Sequence, residues 1–406
     1  MASPRVLIIG GGLGGLALAQ GLRRAKIPFT VFERDSSPSF RPQGYRLRIS
    51  PDGASALEDV LEPDLWQLFE QTCATTKLGL TRINAVEGTL AENNVGSAPA
   101  RDALRRSMGK NDNVKGPYTA DRTVLRTLLM TGLEDNLSFG KQFERYDITA
   151  NGITAFFEDG SCEYGTLLVG ADGVRSPVRK QYLPDQVLVD TEGRCIYGKT
   201  PLTQELADKL PSQTMTLISD ESPLSLLLEP VRFAQDPAQY FHGRLESIKD
   251  YVYWVLLSRK ATFGPDDKEL FGYSGEDAKQ LSLKLTSHWK PPYRSVLECQ
   301  DTEQSSILRI SSAIPTMKPW APSAYVTLLG DAIHVMSPTA GAGANTALRD
   351  AAHLCRAIVG GASAETIGRY EAEMRSYGQV AIEGSYMGGK RMYNQPAFEE
   401  CKPVDF

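Results

Sequence analysis

Residues 5–33 leave few architectures open to this chain. Arg5–Ile9 (RVLII) reads as a short strand buried on both faces, and it runs straight into GGGLGG. Leu16, Ala19 and Leu22 then keep helical spacing, and a second strand-like run, Phe29–Phe32, ends at Glu33. Gly10, Gly12 and Gly15 satisfy G-x-G-x-x-G. The first glycine permits a tight turn, the second lets a pyrophosphate approach the backbone, and the third lets helix pack on strand. An acidic residue closing the second strand binds a ribose hydroxyl pair, and Glu33 follows Gly15 at close to the roughly 20-residue spacing of such units. The unit predicts a parallel α/β, Rossmann-like start that binds a dinucleotide. Arg34 is either a phosphate partner or a solvated charge at a strand end.

Two further stretches run from strand into glycine. Ala324–Leu329 (AYVTLL) leads into GDAIHVMSPTAGAGANTAL, Gly330–Leu348, and helical spacing continues through Ala351, Leu354, Cys355 and Ile358. A helix entered through glycines leaves free N–H groups at its positive end, a seat for negative charge, although such a turn alone is more often a plain connection. Leu167–Val169 runs into GADGVRSPVR, Gly170–Arg179. Its Asp172-Gly173 is a turn dipeptide at a strand's C-terminal end, where ligands gather in open parallel sheets. Arg175 and Arg179 are expected on the first turns of the next helix, close to any bound phosphate.

Arg41–Gly53 (RPQGYRLRISPDG) has two readings, a solvated hairpin or a segment placing Gly44 and Arg46 beside a cofactor. Asn93–Lys115 reads as a basic surface loop, with a mobile lid as the lesser reading. Asp121–Met130 is helical, with Arg122 and Arg126 on a shared face. From Tyr182 to about Arg309 the pattern changes to alternating strands (Arg194–Lys199, Met215–Ser219, Leu224–Leu228, Asp250–Ser258) between Pro, Gly and Asp turns. That predicts an antiparallel sheet, hence a second domain inserted in the first. In YVYWVLL both alternating sets are apolar, so both faces of that strand should be covered. The expected division is a discontinuous cofactor domain (1–75, 100–182 and 300–360), a substrate domain (76–99 and 183–299), and a C-terminal helix and tail (361–406). The tail is either frayed or docked across the domain seam.

With 406 residues and a net charge of −5, two domains are the natural expectation, and neither nucleic acid nor an anionic membrane is an expected partner. No apolar run reaches the roughly 18 residues of a membrane helix, and the first strand begins too soon for a signal peptide. Six scattered cysteines without a CxxC pair, and four histidines without ligand spacing, argue against a metal site or disulfide scaffold. A reducing, cytoplasmic setting is expected.

Together, GGGLGG with Glu33, GADGVRSPVR, and GD-x-x-H-x-x-x-P-x-x-G-x-G-x-N-x-x-x-x-D closely resemble the class A, single-component FAD-dependent aromatic hydroxylases, from Val6 to about Tyr377. The wording of QGYRLRIS and RCIYGKTP is most similar to the fungal secondary-metabolism branch. The resemblance implies bound FAD, NADPH or NADH as co-substrate, and dioxygen activated as a flavin hydroperoxide. A small aromatic or polycyclic substrate would be hydroxylated or epoxidised. It further implies that Gly10, Gly12 and Gly15 cradle the FAD pyrophosphate and Glu33 holds the adenosine ribose. Arg122 would reach the flavin and Asp331 the ribityl chain, while Pro338, Gly341, Ala342, Gly343 and Ala344 would lie under the isoalloxazine ring. Asp172 either contacts FAD or NAD(P)H or stabilises its turn. His334 is either a general base or a packing and hydrogen-bonding residue, and Arg194 has a position compatible with the catalytic arginine of some members. The alternative is a redox-silent FAD-fold protein that steers cyclisation of a polyketide or alkaloid. A halogenase would carry W-x-W-x-I-P, whereas Trp254 is followed by Val, Leu and Leu.

Overall fold

The computed structural model describes residues 5–37, 45–90 and 115–404, so Gly44 and nearly all of the 93–115 loop lie outside the described residues. Five parallel strands form the first sheet, in the order β16 (Val326–Leu328), β10 (Leu167–Gly170), β1 (Val6–Ile9), β2 (Phe29–Glu33) and β6 (Leu137–Phe139). The three strands β16, β10 and β1 are buried at every residue, which is why they read as unbroken apolar runs. Helices Leu13–Arg24, Pro51–Val60, Arg122–Met130 and Gly343–Val359 pack together beside this sheet. A small antiparallel sheet of β7 (Phe143–Thr149), β8 (Gly152–Phe157) and β9 (Cys162–Gly165) lies against it.

The second sheet runs β15 (Asp301–Ala313), β11 (Leu188–Pro201), β14 (Tyr251–Arg259), β13 (Ser225–Val231), β12 (Met215–Ser219) and β4 (Leu80–Asn84). All its pairs are antiparallel except β12 with β4. Its outer face presents Ile196, Leu226, Leu228, Val252, Trp254 and Leu256 to the core with Val296 and Leu297 of helix Pro291–Glu298. The Trp254 indole is fully buried and donates to Thr200 Oγ1 at 3.0 Å. Its inner face meets the two-stranded ribbon of β3 (Arg46–Ile49) and β5 (Tyr118–Asp121).

Two boundaries shift from expectation. β15 keeps its partnership with β11 through Ala313, so the inserted sheet runs on past residue 299, where the expected substrate domain ended. The last helix, Ala364–Tyr393, extends beyond Met387 and ends at Asn394 in a left-handed conformation. Tyr393 is buried beneath the inserted sheet, its hydroxyl 3.1 Å from Thr191 Oγ1, and β17 (Lys402–Pro403) adds to the edge of β11. Of the two readings of the tail, docking is the one observed.

Candidate active site

The glycine turn after β1 can be tested position by position. A Cβ on Gly10, which sits at φ +113°, would overlap the carbonyl oxygen of Ala171, and one on Gly15 would overlap that of Gly10. A Cβ on Gly12 would meet nothing within 4 Å. Two glycines are therefore required by packing, while the third faces open space of the kind a pyrophosphate needs. The Glu33 carboxylate accepts from Gly11 N at 2.7 Å and Asp35 N at 3.0 Å, which fixes it at the mouth of the turn. Arg126 Nε donates to Gly11 O at 3.1 Å, so this arginine braces the turn. Arg34 is exposed.

The second glycine stretch closes on the first. A Cβ on Gly14 would lie 2.7 Å from Leu329 Cδ1 and 3.3 Å from Ala347 Cβ, so the two strand–turn–helix units touch. Gly330, at φ +62°, gives its N–H to Asp350 Oδ2 at 2.7 Å and turns the exposed Asp331 away from the core. Surrounding protein raises the Asp331 carboxyl pKa above its usual range, against the pull of His334 and Arg122. Pro338–Ala340 is a 3-10 turn, Gly341 is left-handed at φ +63°, and the Gly343–Val359 helix starts at Ala342 with no side-chain cap. Its first N–H groups are thus free to receive a ligand, and Asp331 Oδ1 lies 3.9 Å from where a Gly343 Cβ would sit. Asn345, overlooked as a site residue although its position in the motif was visible, ties this loop to β3. It accepts from Ser50 N at 2.8 Å and donates to Arg48 O at 2.9 Å and Gly341 O at 3.0 Å.

His334 is a structural residue here. It is fully buried, its Nε2 is 2.6 Å from Asp350 Oδ2, and Tyr377 Oη donates to Asp350 Oδ1 at 2.6 Å. Burial opposes its charge, but Asp350 outweighs that and raises the imidazole pKa above its usual value. Asp172 accepts from Val178 N at 3.3 Å and is pushed up to about 6 by burial, which accords with holding its own turn. Arg179 corrects an expectation. It is buried and donates to Ala332 O at 2.8 Å and Val174 O at 3.0 Å, pinning two loops together instead of waiting for a phosphate.

Arg194 corrects another. β11 pairs Arg194 with Ser258 and Arg309, on the face turned from the ribbon, and Arg194 is fully buried between Asp190 and Asp267, with four contacts of 2.8 Å. Strand alternation decides this, since one register step moves a side chain to the opposite face. The residues that face the ribbon are Tyr197, Lys199, Glu229, Tyr251 and Tyr253. Lys199 Nζ is 2.8 Å from Asp121 Oδ2, and Tyr251 Oη donates to the same oxygen at 2.8 Å. Asp121 also caps the Arg122–Met130 helix through Thr123 N and Val124 N. Arg122, at the start of that helix, has its guanidinium 5.4 Å over the Tyr45 ring, and Tyr45 packs edge-on against Tyr197. Glu229 is paired with both Arg46 and Arg48, so the hairpin carrying Arg46 is not a solvated one.

A Rossmann-like sheet, two mutually packed glycine turns and an inserted antiparallel sheet define a flavoprotein of the FAD-dependent monooxygenase class. Residues 8–72 match the NAD(P)-binding Rossmann-like domain family and residues 312–385 the FAD binding domain family. A solved structure provisionally assigned as an FAD-containing monooxygenase from Photorhabdus luminescens is 31% identical. It superposes with a TM-score of 0.78 over 96% of this chain and 98% of that one. A dual O-methyltransferase/FAD-dependent monooxygenase from Cercospora beticola is 38% identical over 99% of this chain and 48% of the relative. A second, from Phaeosphaeria nodorum, is 38% identical over 97% of this chain and 46% of that protein. The chain spans about half the length of the curated relatives it matches. It belongs to the FAD-dependent monooxygenase family. No helix among the described residues is long and apolar enough to cross a membrane.

Proposed function

We propose that this chain uses FAD, NAD(P)H and dioxygen to hydroxylate or epoxidise a small aromatic or polycyclic substrate. The observation that carries the reading is the continuity of the site. Asp331 lies beside the uncapped helix start at Gly343, and Asn345 on that helix is tied to Arg48, whose side chain reaches the inserted sheet through Glu229. On this reading Gly10, Gly12 and Gly15 form the pyrophosphate turn and Glu33 takes the adenosine ribose. Asp331 takes the ribityl chain, with Arg122 above it. Pro338, Gly341, Ala342, Gly343 and Ala344 form the seat of the ring system, where the positive helix end favours developing negative charge. Bound FAD would supply hydride acceptance and oxygen activation, chemistry that no side chain provides. The protein's part is to position the substrate and exclude water between the inner sheet face and that loop.

In the dual relatives an O-methyltransferase activity shares the chain with the monooxygenase, and O-methylation requires a hydroxyl group. A phenol is therefore the substrate class this reading favours. Purified protein should be yellow, and candidate phenols should stimulate its NADPH oxidation and acquire oxygen from dioxygen. Conversion without NADPH or oxygen would instead support the redox-silent cyclisation reading.

A further inference from the structure

The inner wall carries more positive than negative charge. Arg46 and Arg48, two residues apart on β3 and so on one face, both address the single carboxylate of Glu229. Their side chains are 8% and 18% exposed, and Glu229 is 4% exposed. Beside them, Lys199 is balanced by Asp121, which is already saturated by two backbone N–H groups and Tyr251. Among the described residues, three cations thus stand against two carboxylates on largely buried side chains. Arg46 Nε is buried and donates to nothing among the described residues. Burial and the neighbouring Arg46 push Arg48 down to about 10. A buried, uncompensated charge is costly, so the arrangement suits a site completed by an incoming anion. The backbone of Arg48 is fastened through Asn345 to the Gly341–Gly343 loop, so this surplus lies beside the seat proposed for the flavin ring.

We infer that the substrate of this site is bound as an anion, a carboxylate or an ionised phenol, whose charge completes the Arg46–Glu229–Arg48 cluster. The inference rests on the monooxygenase reading for the location of the substrate pocket. Aromatic faces for the ring of such an anion are supplied by Tyr253, 5.7 Å from the Arg46 guanidinium, and by Tyr45 and Tyr197.

The test uses the FAD-loaded protein and four probes of one size class: 2-naphthoate, 2-naphthol, methyl 2-naphthoate and naphthalene. Binding is read from perturbation of the flavin spectrum. The ionised probe should bind about tenfold or more tightly than the neutral ones, the scale of a charge-assisted hydrogen bond. Preference for 2-naphthoate identifies a carboxylate site, whereas 2-naphthol binding that strengthens as the phenol ionises identifies a phenolate site. Arg48→Gln should abolish the preference while keeping FAD. Glu229→Gln, which removes the opposing carboxylate instead, should increase it. Equal binding of charged and neutral probes, or binding of none, by a protein that still holds FAD and oxidises NADPH would overturn this inference alone. Loss of FAD from Arg48→Gln would assign the charge to the cofactor and likewise overturn it. Failure of the unmodified protein to hold FAD would overturn the underlying reading.

Discussion

His334 Nε2 lies 2.6 Å from Asp350 Oδ2, and neither side chain is exposed. The same oxygen accepts the N–H of Gly330, so one carboxylate holds both ends of the short turn that presents Asp331. Asp350→Asn should cost roughly 3–5 kcal/mol, because it strands a buried imidazolium. The raised imidazole pKa means this stabilisation is complete below the ordinary histidine range and is lost as pH climbs through the raised value. Denaturant unfolding of the FAD-free protein should therefore show a larger wild-type advantage at pH 6 than at pH 9.

Gly12 and Gly15 separate folding from binding. Gly12→Val adds bulk where the protein has none within 4 Å, at a backbone φ of −77° that any residue adopts, so the variant should fold with the melting temperature of the FAD-free wild type and fail to retain FAD. Gly15→Val should fail to accumulate as folded protein, because its Cβ would overlap a backbone carbonyl. Flavin content and circular dichroism of the two variants check both outcomes.

Arg194 and Lys199 should behave oppositely. Arg194→Met leaves Asp190 and Asp267 without their shared cation and should lower stability by roughly 3–5 kcal/mol, with turnover per folded molecule retained. Lys199→Met should reduce turnover by about 10–100-fold through lost substrate positioning, with a smaller effect on stability. Steady-state kinetics normalised to flavin content, beside melting curves, distinguish the two.

The contrast shows how far the chain could be read. Gly10–Glu33 and Gly330–Leu348 were legible because the pattern of strand, glycine turn and helix is written in consecutive residues. Arg194 misled because the face a strand residue occupies depends on pairing between distant segments, and β11 offers a cation on each face, Arg194 and Lys199. Glu229 and Asp121 were invisible for the same reason. Nothing local in SLLLEPV or TADRT indicates that their carboxylates meet cations from β3 and β11. Arg179 looked like a phosphate ligand, and its actual acceptors, Ala332 O and Val174 O, are backbone atoms that no sequence pattern reveals.

Glu371 supplies a pH prediction away from the site. It is 1% exposed, accepts from Thr327 Oγ1 at 2.9 Å, and burial pushes it up to about 7. A raised carboxyl favours the protonated native state, so its contribution is lost as pH rises from the ordinary glutamate range through 7. Glu371→Gln should be neutral near pH 5 and stabilise by about 1–3 kcal/mol at pH 8, measured by denaturant unfolding.

Oxygen incorporation tests the central claim most directly. With the purified protein, NADPH, a phenolic acceptor and ¹⁸O-labelled dioxygen, mass spectrometry should find one labelled oxygen atom in each product molecule, together with one FAD per chain. Product formed without label, or formed equally well under anaerobic conditions, would contradict it.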